Sequence, residues 1–153
     1  MTHSLSPVLK QTSDVVVDHA KGMYVYSTDG EKYLDFTSGI GVLATGHCHP
    51  RVTQAAQEQC ASVVHAQYAI MKHQPLLELS QRIADLFPAY IDSVFFSNAG
   101  TEAVETSIRL ARQATGKPNI IAFRGCFHGR TMGSLSTTTS SAAVRQRVQP
   151  LMG

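Results

Sequence analysis

This 153-residue sequence predicts an α/β fold, with a small antiparallel hairpin lobe followed by helices and the start of a mainly parallel sheet. Three observations carry that expectation. Val94, Phe95 and Phe96 form a short apolar run that Asn98 and Gly100 break, and residues 101–115 then follow a helical pattern. Asn119 to Phe123, NIIAF, is a second apolar run. Strand, helix and strand with short connections describe one right-handed crossover of a parallel sheet. Nearer the amino end, GMYVYSTDGEKYLDF (Gly22 to Phe36) places two strand-like runs around Asp29-Gly30, a dipeptide suited to a tight hairpin turn.

Two further helices are expected between the hairpin and the first apolar run. Pro50 to about Ala66 aligns Val52, Ala56, Cys60 and Val63 on one face, with Pro50 at its start. On this pattern Cys60 is a core residue. Pro75 to Phe87 aligns Leu76, Leu79, Ile83 and Leu86, and Pro88 ends it. In the helix over 101–115, Val104, Ile108 and Ala111 form the apolar face, widened by Ala103, Leu110 and Ala114. Glu102 and Glu105 suit the positive end of that helix.

The turn before this last helix is a candidate anion cradle. The amides of Ala99, Gly100 and Thr101 have no helical acceptor, and a glycine lets a ligand approach the backbone closely. An ordinary strand-to-helix turn capped by Asn98 or Thr101 fits the same residues. The second apolar run leads into RGCFHGRT (Arg124 to Thr131), and in parallel sheets ligands sit at the carboxyl ends of strands, where both motifs fall.

SNAGTEAVE, followed about twenty residues later by AFRGCFHGRT, resembles the class III pyridoxal-phosphate (PLP) aminotransferases, which include the 4-aminobutyrate, ornithine and acetylornithine enzymes. The hairpin and the string TSGIGVLATGHCHPRV also match that family, so the resemblance runs from about Lys21 to Gly153 in the correct order. It implies the amino-terminal portion of the PLP-dependent transferase fold, fold type I. Residues 1–70 would form an amino-terminal lobe and 71–153 the beginning of the large PLP-binding domain. It also implies a homodimer.

By the same resemblance, the turn Ala99, Gly100 and Thr101 binds the PLP phosphate through backbone amides and the threonine hydroxyl. Phe127 stacks on the pyridine ring. His128 and Gly129 complete the loop, with His128 orienting it. Arg130 matches an arginine that binds a substrate carboxylate, and Ile40 and Val42 match positions on the substrate side of the pocket. Ordinary core packing for Phe127, Ile40 and Val42, and an unpaired surface role for Arg130, fit these residue types equally simply.

The implied activity is transfer of an amino group from an ω-amino or diamino acid, 4-aminobutyrate-like, to a 2-oxo acid. Family members are much longer than this chain, and the cofactor lysine and the aspartate that pairs with the pyridine nitrogen are expected outside it. Lys10, Lys21, Lys32, Lys72 and Lys117 all lack the context of that lysine. The chain by itself is therefore expected to be inactive, with no catalytic residue of its own. A non-catalytic fragment or dimerisation module of the family is the alternative, and a semialdehyde aminomutase of the same fold is another.

Other chemistries find little support. Gly39, Gly41 and Gly46 do not make GxGxxG, and no GK[ST] follows. The string GHCHP, with His47, Cys48 and His49, lacks zinc spacing, so no metal is expected. Cys126 and His128 share one short loop without an orienting acid, which disfavours a thiol nucleophile. A net charge of +2 without a basic block gives no support to nucleic-acid or membrane partners. Three cysteines without CxxC spacing argue against a disulfide framework. With no apolar run near the ~18 residues a span needs, and one lysine and no arginine in the first twelve residues, a cytoplasmic protein is expected.

Overall fold

The computed structural model describes residues 5, 6, 8 and 11–151. Lys10 lies outside them. The chain divides into two compact units, Met1–His73 and Gln74–Gly153.

The first unit carries a three-stranded antiparallel sheet in the order β1-β2-β3, with β1 (Val17–Lys21), β2 (Tyr24–Ser27) and β3 (Lys32–Leu34). The expected hairpin is the β2–β3 pair, in which Tyr24 faces Leu34 and Tyr26 faces Lys32. Its turn closes through Gly30 N–H donating to the Ser27 carbonyl at 3.0 Å. Ring contacts line the sheet face, with His19 stacked on Tyr26 at 4.5 Å and Lys32 Nζ 3.8 Å from the Tyr24 ring centroid.

Beyond β3 the chain turns through the short α1 (Ser38–Gly41), in which Gly39 and Ile40 have positive φ of 61° and 66°. One carboxylate organises this reversal. Asp35 Oδ1 accepts from the Thr37 amide at 2.8 Å, the Thr37 hydroxyl at 2.6 Å and the Ser38 amide at 3.1 Å. Its Oδ2 accepts from His47 Nε2 at 2.8 Å. Paired backbone bonds between Gly22 and His47 tie the loop to the sheet. Within GHCHP, His47 is thus committed to a carboxylate and a backbone bridge. α2 (Pro50–Ser62) follows, with Pro50 in its first turn.

The second unit contains α3 (Gln74–Ala84), α4 (Gly100–Thr115), α5 (Met132–Thr137) and α6 (Ala142–Arg145). The three expected long helices therefore form, each within a few residues of the sequence pattern.

Two expectations need correction. Residues 94–96 and 119–123 are not strands: among the described residues the three-stranded antiparallel sheet is the only sheet. A strand exists through pairing, and neither segment lies in a ladder; Ile121 and Phe123 are 93% and 79% exposed. Cys60 is also exposed, because α2 buries none of its residues. Among the described residues Leu135, 4% exposed, is the one buried apolar side chain. Apolar spacing locates a helix face, but burial needs a partner on that face.

Asp35 gives the first unit an acid limit. The Thr37 hydroxyl first, and the His47 ring second, hold its carboxyl well below the usual carboxylate range. A carboxyl whose pKa is lowered on folding adds stability above its unfolded value of about 3.9 and loses it as pH falls through the folded value. Amide exchange at Thr37 and Ser38 should stay slow from neutral pH down to about pH 4 and accelerate only in stronger acid. Asp35→Ala should exchange fast throughout, and unchanged protection in that variant would rule out the carboxylate as the tie.

Candidate functional site

The chain enters α4 from Asn98 with Ala99 as the N-cap and no side-chain cap from that residue. Neither Asn98 nor Thr101 caps the helix, as the simplest sequence reading had it. Glu102 does so from within the first turn, its Oε2 accepting the Asn98 amide at 2.7 Å and the Ala99 amide at 3.0 Å. Of the three amides expected to be free, Ala99 is therefore engaged. Among the described residues no protein acceptor receives the amides of Gly100 and Thr101. A Cβ added at Gly100 would meet nothing within 4 Å, so open space adjoins these donors.

That space is a concavity of about 650 Å³ lined by the start of α4 and by the loop ahead of α5. Ala99, Gly100, Thr101, Phe127, His128 and Arg130, six of the residues picked out by sequence, all line it. The volume is within the range of small-molecule sites. Val104 adds an apolar wall one turn into α4. The Arg130 guanidinium carbon lies 5.9 Å from the Phe127 ring centroid, and among the described residues no carboxylate forms an ion pair with it. Ile40 and Val42, the other two sequence candidates, belong to the first unit and are exposed.

The loop is held by residues the sequence reading did not single out for this role. Glu105, expected to serve its own helix, instead reaches α5. Its Oε1 accepts the Thr131 hydroxyl at 2.5 Å, the Gly133 amide at 2.8 Å and the Ser134 amide at 3.0 Å. A carboxylate at the first amides of a helix satisfies donors that have no acceptor inside the helix. The Thr131 hydroxyl lowers the Glu105 pKa most; desolvation opposes it, and the Ser134 and Gly133 amides lower it further.

Thr138 secures the other end. Fully buried, its hydroxyl accepts the His128 amide at 3.0 Å and lies 2.9 Å from the Gly129 carbonyl and 3.1 Å from that of Ser134, to which it donates. The hydroxyl-rich run SLSTTT, Ser134 to Thr139, was the available sequence signal for these contacts.

The fit between α4 and the loop leaves no room at two glycines. A Cβ on Gly133 would overlap the Glu105 carboxylate, and one on Gly129 would overlap the Thr101 side chain and the Ser134 hydroxyl. Gly129 also has φ +124°, outside the range of ordinary L residues. Gly129→Ala should accordingly destabilise the second unit by about 1–3 kcal/mol, the usual cost of forcing atoms into a packed site. Denaturant unfolding checks this, and a midpoint equal to wild type would show that the loop can yield.

Residues 6–153 match the family model described as aminotransferase class III. A 2-aminoadipate transaminase of Pseudomonas putida is 38% identical over 151 residues, covering 98% of this chain and 36% of the relative. An acetylornithine aminotransferase of Methanopyrus kandleri is 41% identical over 132 residues, covering 86% of this chain and 33% of the relative. Among solved structures, a thermostable (S)-enantioselective omega-transaminase from Thermomicrobium roseum superposes with a TM-score of 0.85 at 30% identity, over 99% of this chain and 36% of that one. The chain thus spans about a third of the length of the curated relatives it matches. The fold is that of the PLP-dependent transferases of fold type I, and PLP is the cofactor of the family. This chain belongs to the class III aminotransferases.

Proposed function

We propose that this chain is the cofactor-gripping amino-terminal part of a PLP-dependent aminotransferase. The enzyme moves an amino group from an ω-amino or diamino acid, 4-aminobutyrate-like, to a 2-oxo acid, and it works as a homodimer. Residues up to about 70 form its amino-terminal lobe, and the remainder begins the large domain. The observation that carries this reading is the concavity itself, where two free amides at the start of a 16-residue helix, an aromatic ring and an arginine meet.

The donor set fits a phosphorylated aromatic cofactor. The Gly100 and Thr101 amides and the positive end of α4 suit a phosphate, and the space beside Gly100 lets it approach the backbone. Ala99 borders the same turn, although Glu102 engages its amide. The exposed face of Phe127 suits a flat heteroaromatic ring. His128 acts through its backbone, which Thr138 fixes, and so orients the Phe127–Arg130 segment. Arg130, free of any acidic partner among the described residues, binds the donor carboxylate with its planar fork. Ile40 and Val42 serve the substrate side. The cofactor supplies an aldehyde and an electron-withdrawing ring, and the protein's part is to hold and orient both against the amine.

A second reading, a non-catalytic fragment of the family, gains weight from one observation: among the described residues no lysine lines the concavity. It has a direct test. Incubating the 153-residue chain with PLP, reducing with borohydride and mapping the peptides should yield no stoichiometric modification at any one lysine. Transaminase turnover should be absent too. A single, fully modified lysine within this sequence would overturn the expected inactivity.

Cofactor and substrate roles separate by mutation in the complete enzyme. Phe127→Ala should weaken PLP retention. Arg130→Ala should leave PLP bound but lower kcat/KM for 4-aminobutyrate by the equivalent of about 2–5 kcal/mol where the contact is dry. An uncharged amine of similar length should be affected far less. Equal losses for the two donors would remove the carboxylate role.

A further inference from the structure

Thr101 does not face the concavity alone. Its Oγ1 lies 2.8 Å from Thr131 Oγ1 and 2.6 Å from Ser134 Oγ, and those two hydroxyls are 2.9 Å apart. The Thr131 amide also donates to Thr101 Oγ1, at 3.4 Å. Three mutually touching hydroxyls have three protons to place, and their directions are free unless a neighbour fixes one of them.

Glu105 is that neighbour. An ionised carboxylate accepts and cannot donate, so the Thr131 proton is committed to Glu105 Oε1 at 2.5 Å. Thr131 Oγ1 can then only accept within the cluster, and the donors in reach are the Thr101 hydroxyl at 2.8 Å and the Ser134 hydroxyl at 2.9 Å. Ser134 has a second acceptor in the Thr131 carbonyl at 3.2 Å. A phosphate at the start of α4 is a charged acceptor and outcompetes the neutral Thr131 oxygen for the Thr101 proton. The cluster therefore fixes where Thr101 Oγ1 stands, and a bound anion takes its proton.

We propose that Glu105 is a positioning residue of the anion-binding turn: by collecting the Thr131 hydroxyl and the Gly133 and Ser134 amides it holds Thr131 and Ser134 against Thr101, which keeps the Thr101 hydroxyl in place to donate to a phosphate at the start of α4. This rests on the cofactor reading above. Glu105 does not itself line the concavity, and it acts through Thr131, Ser134 and Thr101. The absence of a Cβ at Gly129 and Gly133 leaves these groups the room to reach hydrogen-bonding distance.

The test compares PLP with pyridoxal, which lacks the phosphate, by titration of the complete apoenzyme. The readout is the preference ratio of the two affinities. Glu105→Ala should lower that preference tenfold or more. Glu105→Gln, whose carbonyl can replace Oε1, should stay within threefold of wild type. In a Thr101→Val background, adding Glu105→Ala should change the preference less than threefold, because the residue it acts through is gone. Equal weakening of PLP and pyridoxal, or additive losses in the double variant, would reduce Glu105 to a structural part and overturn the proposal. If Glu105→Ala does not fold, Ser134→Ala carries the test: it should lower the preference with Thr101 present and leave it unchanged in the Thr101→Val background, and no effect in either background would overturn the cluster. A wild-type protein with no preference for PLP over pyridoxal would instead sink the cofactor reading.

Discussion

The second unit depends on one carboxylate that leaves its own helix to serve another. Glu105 stands in the second turn of α4, yet its bonds go to Thr131, Gly133 and Ser134 at the start of α5. α5 has six residues, too few to be stable on hydrogen bonds and propensity alone. An anion at its first amides and the packing of Leu135 supply what its length does not. Because the Phe127–Arg130 loop leads directly into α5, fixing that helix fixes the wall of the concavity opposite the α4 turn.

The first unit uses the same physics at its own reversal. Asp35, at the end of the last strand, gathers two amides, a hydroxyl and an imidazole, and so holds a loop whose Gly39 and Ile40 backbones lie in the left-handed region. Charge-assisted bonds from backbone amides are stronger than neutral ones, and several on one carboxylate restrain a loop without an apolar core beneath it. That matters in a chain with a single buried apolar side chain among its described residues. Here polar clusters define the loops that apolar packing usually defines.

This difference explains what the sequence made legible. α2, α3 and α4 were readable because helix periodicity, Pro50 at a start and Pro88 after an end are local signals, and the β2–β3 hairpin was readable from Asp29-Gly30. β1 was not anticipated, since VDHAK has little alternation and its pairing with β2 is irregular between Val17 and His19. The start of α4 and the loop 127–131 were found from motifs, and they do line one concavity. Their connection was hidden: Thr131 meets Glu105 across 26 positions and Ser134 meets Thr101 across 33, and no local pattern encodes such a pair.

The segments 94–96 and 119–123 mark the limit of the apolar-run argument. A helix satisfies its backbone internally, so a pattern of side chains is nearly sufficient to identify it. A strand's backbone is satisfied by a neighbour, so an apolar run states only that the segment suits a sheet. Ile121 and Phe123 are exposed where a parallel sheet would cover them on both faces. The α4 turn and the Phe127 loop nevertheless meet each other, because Glu105 binds the start of α5, Thr138 binds the loop ahead of it, and the missing Cβ atoms at Gly129 and Gly133 leave room for the approach. The candidate site is therefore a property of the α4–α5 contact, and it can persist in a chain whose apolar runs form no strands.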